Sequence, residues 1–135
     1  MRLAYGFDKD ISDYVGRGLG CSLPDHTIGI GVINNKEVLV AGVTYYNYRH
    51  PKNIEMSIYS TAPWSSKKII RDLLHYPLIQ LNCSRITCIV DADNKHTLKF
   101  LTKLGFIKEG LMRDANPDGD AVIMGLLKTE CKWIK

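Results

Sequence analysis

The sequence predicts an α/β domain built on a mixed sheet with helices packed on it. Three observations lead there. From residue 28 to 60 the apolar residues run in strand-like segments interrupted only by turn residues, as in a meander of antiparallel strands. From residue 65 to 127 helix-like and strand-like segments alternate, the mark of helices crossing over a sheet. The chain has 135 residues, within the span of about 100–200 residues expected of one domain, and no repeat, low-complexity tract or linker divides it. A single domain over residues 1–135 is therefore expected.

The elements follow in order. Arg2 to Gly6 reads as a short strand. Asp8 to Leu19 reads as a helix, with Asp8 as N-cap and Ile11, Tyr14, Val15 and Leu19 on one face. Ile28 to Ile33 is a strand, and Asn34-Asn35-Lys36 is a hairpin turn, since Asn tolerates left-handed backbone. Val38 to Tyr48 is a longer strand. After a turn containing Pro51 comes the strand Ile54 to Ser60, with Ile54, Met56 and Ile58 on one face and Glu55, Ser57 and Tyr59 on the other. Ser65 to Leu81 is helical, with Ser65 or Ser66 as cap and Pro77 kinking or dividing it. Arg85 to Val90 is a strand, and Asn94 to Leu104 is a helix ended by Gly105. Phe106 to Arg113 and Ala121 to Leu127 are strands joined by the turn Asn116-Pro117-Asp118-Gly119-Asp120.

Composition excludes several classes. Hydrophobic residues make up 45% and charged residues 24%, ordinary for a globular protein and wrong for a disordered or collagenous chain. No apolar run is long enough to span a bilayer. Asp8, Lys9 and Asp10 end the first apolar stretch before it resembles a signal peptide, so a cytoplasmic location is expected. The net charge of +4 suits an anionic ligand but falls short of a dedicated nucleic-acid binder. Cys21, Cys83, Cys88 and Cys131 form no metal-binding spacing, and His26, His50, His75 and His96 are scattered. Reduced thiols and no metal site are expected.

Three places could carry chemistry. The first is the strand-to-helix junction Ser60 to Ile69. Helix N-termini present free N–H groups and partial positive charge, hence attract anions. Lys67, Lys68 and Arg71 add formal charge where acids are usually favoured, although a solvated basic face would look the same. The second is Asp91-Ala92-Asp93-Asn94-Lys95, at the carboxyl end of another strand, where α/β sheets tend to bind ligands; Asp93 or Asn94 could equally be only a helix cap. The third is Glu55, a carboxylate among apolar strand neighbours, able to act as general base or simply to face solvent.

The run Asn94-Lys95-His96-Thr97-Leu98-Lys99-Phe100-Leu101-Thr102-Lys103-Leu104-Gly105-Phe106-Ile107-Lys108-Glu109-Gly110-Leu111-Met112-Arg113 resembles the GNAT superfamily of acyl-CoA-dependent N-acetyltransferases: an Asn, a helix ending in Leu-Gly-Phe, then Glu-Gly. Pro63-Trp64, Tyr76-Pro77, Gln80-Leu81, Arg85 and Glu130-Cys131-Lys132-Trp133 resemble the same family, in particular the compact GNAT-like proteins of bacteria and phages. The resemblance covers roughly residues 54–133. It implies a GNAT-like mixed, mostly antiparallel central sheet with helices on both faces, splayed between the strands at Ile54–Ser60 and Arg85–Val90.

The resemblance further implies that acetyl-CoA lies in that splay and gives its acetyl group to an amine by direct attack within a ternary complex. The pantetheine arm would pair with backbone groups of Ile58, Tyr59 and Ser60. The pyrophosphate would rest on the amides of Ser65, Ser66, Lys67, Lys68 and Ile69, and Asn94 would hold the pantetheine. Glu55 would take the amine's proton, and a backbone N–H such as that of Ile58 would polarise the thioester carbonyl. Two positions depart from the family pattern. Ser65-Ser66-Lys67-Lys68 replaces its glycine-rich phosphate loop, and Leu101 stands where many members carry a Tyr that serves as acid. These departures keep a second reading in view: a GNAT fold that binds CoA or a protein partner without catalysis. Homodimers are common among such folds, and the acceptor amine is not legible.

Overall fold

The computed structural model describes all residues, 1–135. Seven strands and three helices alternate in the expected order: β1 (Arg2–Ala4), α1 (Asp8–Leu19), β2 (Ile28–Ile33), β3 (Leu39–Arg49), β4 (Asn53–Ser60), α2 (Lys67–His75), β5 (Arg85–Asp91), α3 (Lys95–Leu104), β6 (Ile107–Asn116) and β7 (Gly119–Leu127). They form one seven-stranded sheet in the order β1-β2-β3-β4-β5-β7-β6. Every neighbouring pair is antiparallel except β4–β5. The sheet is thus mixed and mostly antiparallel, with β6 outside β7.

Helices cover both faces. On one side α1 lies across β2, β3 and β4. Glycines in those strands let it approach closely: a Cβ on Gly29 would stand 2.6 Å from Ile11 Cβ, and one on Gly42 would stand 2.7 Å from Val15 Cγ2. The expected Asp8 N-cap is not made. Phe7 holds the cap position without a side-chain bond, and the Asp8 carboxylate instead accepts Gly29 N–H at 3.0 Å, tying the helix start to β2. Gly20 ends α1 in left-handed backbone, φ 73°, a conformation glycine adopts without steric cost.

The other face carries α2 and α3 over a core of 25 buried residues, among them Val43, Tyr45, Met56, Leu73, Leu74, Leu78, Ile86, Leu101 and Leu126. Pro77 divides the predicted helix at residues 65–81. Lacking an N–H, it cannot bond to the carbonyl four residues back. That carbonyl, Leu73 C=O, is taken by the buried Tyr45 hydroxyl at 2.7 Å. The chain then widens into a π turn over Tyr76–Gln80, where Leu81 N–H donates to Tyr76 C=O. Gly105, φ 109°, caps α3, and Trp133 at the end of the chain donates its indole N–H to Leu104 C=O at 3.0 Å. Cys83, Cys88 and Cys131 are buried free thiols, while Cys21 is exposed. No helix is long and apolar enough to cross a membrane.

Candidate functional site

The parallel pair at the centre of the sheet is incomplete. β4 pairs with β5 only at Asn53–Arg85, Ile54–Ile86 and Glu55–Thr87, although β4 continues to Ser60 and β5 to Asp91. Beyond Glu55 and Thr87 the strands separate. β4 stays paired to β3 along its length, with Tyr59 opposite Gly42 and Ser57 opposite Thr44, and Thr61 N–H donates to Val40 C=O at 2.9 Å. In an antiparallel ladder alternate residues turn their N–H and C=O to the same neighbour. Thr61, Tyr59 and Ser57 therefore bond toward β3, while Met56, Ile58 and Ser60 turn their main-chain groups into the gap. Tyr59 leaves the expected set of cofactor-facing residues for this reason: its backbone belongs to β3, and its ring packs against Gly18 and, 5.5 Å between centroids, Tyr14 of α1.

A cavity of about 450 Å³ occupies the gap, within the usual range for ligand sites of about 300–1,000 Å³. Met56, Ser57 and Ile58 of β4 face Cys88, Ile89 and Val90 of β5 across it. Asn94, Thr97 and Leu101 of α3 line one end, and the end of α1 (Leu19–Cys21) and the β6–β7 turn (Asn116–Asp118) line the other. Residues from helices on opposite faces thus border one passage through the sheet. The turn is tied down beside it: Asn116 Nδ2 donates to the Asp91 carboxylate, and Ala92 N–H donates to Asp120 C=O at 2.9 Å. A larger, shallower hollow of about 650 Å³ runs along α1 from Ser12 to Leu23 and meets the gap at Gly20 and Cys21, but no strand residue lines it. The gap between the strands is the better-formed site.

Glu55 sits at the apex, as the last β4 residue paired with β5. It lies on the α1 side of the sheet with Ser57 and Tyr59. Its carboxylate accepts Asn47 Nδ2–H at 2.8 Å, and Glu55 is not among the residues lining the cavity. Tyr46, opposite Glu55 on β3, is among them. Its hydroxyl shares a hydrogen bond with Ser57 Oγ. Burial pushes its pKa up, the Ser57 bond opposes that, and the Glu55 carboxylate adds to the rise. Cys88 is buried in the cavity wall, and its thiol is held well above its ordinary range by burial, with Glu55 adding to the effect. A thiol so held lacks the thiolate a nucleophile needs.

The phosphate-side expectations are placed as follows. Ser65, Ser66, Lys67 and Lys68 are exposed around the start of α2, and Ile69 is buried. Ser66 is the N-cap, and its Oγ accepts Ile69 N–H at 3.2 Å. The Ile69 amide is therefore committed within the helix, and the amides of Lys67 and Lys68 remain for an anion. Lys68 is paired with Asp72 at 2.8 Å; Lys67 makes no ion pair. Trp64, buried beneath this turn, packs on Phe100 in the middle of α3 with ring centroids 5.5 Å apart, which ties the start of α2 to that helix. Asn94 does both things expected of it in the alternative. Its Oδ1 caps α3 by accepting Thr97 N–H at 3.2 Å, and its side chain borders the cavity. Leu101 is buried and closes the wall where no hydroxyl is available.

From the sequence, Tyr45, Tyr46, Tyr48 and Tyr59 could line a pocket or simply pack within the strands; Tyr46 does line the cavity, and sequence reasoning missed Ser57, Cys88 and the Asn116–Asp118 turn as parts of the same site. Ser57 was findable, because it shares a strand face with Glu55. The others depend on the register between strands, which no local pattern encodes.

No protein-family model matches the sequence, and no curated protein matches it. Solved structures do match. A spermidine N-acetyltransferase SpeG variant (F149A) from Vibrio cholerae superposes with a TM-score of 0.77 at 14% identity, over 100% of this chain and 98% of that one. A second variant of that enzyme (N152L) gives 0.69 at 18% identity, over 82% and 69% of the two chains. A structure described only provisionally as an acetyltransferase gives 0.70 at 24% identity, over 84% and 64%. The chain has the fold of the GNAT-superfamily N-acetyltransferases.

Proposed function

We propose that residues 1–135 form a single acetyltransferase domain that moves an acetyl group from acetyl-CoA to a primary amine. The observation that carries this reading is the broken β4–β5 pairing. Main-chain groups of Met56 and Ile58 face a passage of about 450 Å³ in the middle of a sheet, and buried backbone groups are normally paired. An extended arm bearing amides satisfies them as an added strand would. The residues present fit such a ligand: the gap takes the arm with Asn94 beside it, and free amides with Lys67 at the start of α2, outside the cavity lining, are available for phosphate. Acetyl-CoA supplies an activated thioester.

The chain's residues do the rest. Ile58 N–H, turned into the gap, is placed to stabilise developing negative charge on a carbonyl oxygen. Glu55 at the apex takes the proton that an ammonium, with a pKa of about 10.4, must lose before it can attack. Asn47 positions the Glu55 carboxylate. The suppressed ionisation of the Cys88 thiol supports direct attack by the amine over an acyl-cysteine route. An amine-modifying enzyme with no nucleic-acid partner accords with the modest net charge of +4, and a cytoplasmic location stays part of the proposal. Homodimerisation stays part of the proposal by analogy with the fold.

Calorimetric titration with acetyl-CoA and with CoA tests the reading. Saturable binding is expected, and absence of binding at millimolar cofactor would overturn it. The acceptor is sought with an amine panel led by spermidine, the substrate named for the structural neighbours. A second reading, a cofactor-binding module without turnover, is favoured by Leu101 in the cavity wall and by the Ser66 cap that consumes the Ile69 amide. Binding without thiol release across the panel would select it.

A further inference from the structure

We propose that Tyr46 is the proton donor to the departing CoA sulfur, with Ser57 as its hydrogen-bond partner. This rests on the acetyl-transfer reading above. The wall position on α3 that faces the gap is Leu101, which has no proton to give. Among the cavity residues, Thr97 lies at the first turn of α3 and Cys21 just beyond the end of α1, both away from the apex, and Cys88 is a buried thiol. Tyr46 differs from all three. It stands opposite Glu55 in the β3–β4 register, so it springs from the level at which β4 and β5 part. Its hydroxyl reaches along the sheet face to Ser57 Oγ, one strand repeat further into the gap, and both residues line the cavity.

The hydrogen bond gives Tyr46 its polarity of action. When Ser57 donates to the phenol oxygen, the phenol proton is free to point into the cavity, and the same bond stabilises the phenolate once the proton has left. The groups facing Tyr46 are the Glu55 carboxylate on β4, the Cys88 thiol on β5 and the Cys21 thiol beyond α1. Burial is the largest influence and Glu55 acts in the same direction, so the phenol is kept protonated at neutral pH, as an acid requires. In the step itself the amine nitrogen bonds to the acetyl carbon, and the carbon–sulfur bond breaks with its electron pair on sulfur. The sulfur takes the Tyr46 proton, and Tyr46 recovers one from the nitrogen as the amide forms. Nitrogen loses one proton and sulfur gains one, leaving Tyr46 unchanged.

The test reads the ionisation of CoA bound to the protein, without turnover. A donor aimed at sulfur favours the thiolate, so the ultraviolet absorbance of bound thiolate is followed against pH in wild type and Tyr46→Phe. The thiol ionisation constant is expected to be about tenfold larger in wild type, the scale of one hydrogen bond to a charged group, with CoA affinity alike in both. Equal ionisation in the two proteins would overturn the assignment. If Tyr46→Phe does not fold, Tyr46→fluorotyrosine serves. This more acidic phenol should increase bound-thiol ionisation above wild type, and an unchanged value would overturn the assignment equally. A wild-type protein that binds no CoA defeats the acetyl-transfer reading itself, and this inference falls with it.

Discussion

Strand β5 has two edges that are treated differently. Toward β7 it is paired along its whole length, Arg85–Asp91 against Leu127–Ala121. Toward β4 it is paired over Arg85–Thr87 and then released. On the closed edge Ile86, Cys88 and Val90 stand opposite Leu126, Met124 and Val122, all buried beneath the helices. On its other face Gly125 leaves room for the Arg85–Glu109 ion pair, 2.7 Å long, to lie flat across β7. On the open edge β4 follows β3 and β5 follows β7, so each strand keeps one full partner and gives up the other. The closed edge shows what this strand does when only stability is at stake. The open edge leaves main-chain groups turned into a cavity, and it is there that the proposed cofactor would supply the missing partner.

Four measurements break or sharpen that contrast, beginning with the largest effect. On the open edge, Glu55→Gln removes the proposed base while keeping its size. With an accepted amine, kcat should fall about 10²- to 10⁴-fold, the usual worth of a general base, with acetyl-CoA affinity unchanged. Undiminished turnover removes Glu55 from that role. Next, Thr97→Trp places a large ring at the α3 end of the passage. CoA affinity should drop by about 100-fold, the loss of about 2.7 kcal/mol, while thermal stability holds, because Thr97 is only half-buried. Unaltered binding would mean that CoA does not thread the gap.

The closed edge should respond the other way. A Cβ at Gly125 would stand 2.4 Å from Glu109 Oε2 and 2.6 Å from Arg85 Nη2. Gly125→Ala should therefore break the Arg85–Glu109 pair and cost about 1 kcal/mol, lowering Tm by about 3–6 °C, without weakening CoA binding. A loss of affinity as large as that of Thr97→Trp would show the two edges to be coupled. The smallest expected effect concerns Cys88, which belongs to the same strand and borders the gap. Native protein treated with iodoacetamide at neutral pH should take one label, on the exposed Cys21, and four after denaturation. A second native label on Cys88, blocked by CoA, would mean that its thiol ionises readily and would reopen the acyl-cysteine route.

Much of the fold was legible because its signals are local. Alternation in Ile54–Ser60, the leucine spacing of α3 and the glycine after it gave elements within a residue or so of those observed. Other features needed partners. Asp8 has the chemistry of a cap, but a strand amide 21 residues away competes for its carboxylate and wins. The predicted helix at 65–81 ended early because Pro77 freed a carbonyl that Tyr45, from another strand, could take. In the site, Glu55 and Asn94 were legible as polar residues at strand and helix positions where chemistry collects. Tyr46 was legible only as one of four strand tyrosines able to line a pocket, because its place beside the gap follows from pairing with Glu55 across β3 and β4.

The sequence alone determined the succession of strands and helices, which side of each strand is apolar, and where the turns fall, since these arise from interactions among residues a few positions apart. Only the tertiary structure decided where β4 and β5 part, which main-chain groups face the opening, and that Tyr46, Ser57 and Glu55 share its apex. Those outcomes follow from hydrogen bonds and packing between segments far apart in the chain. Each strand's choice of partner depends on what all the others have already bonded.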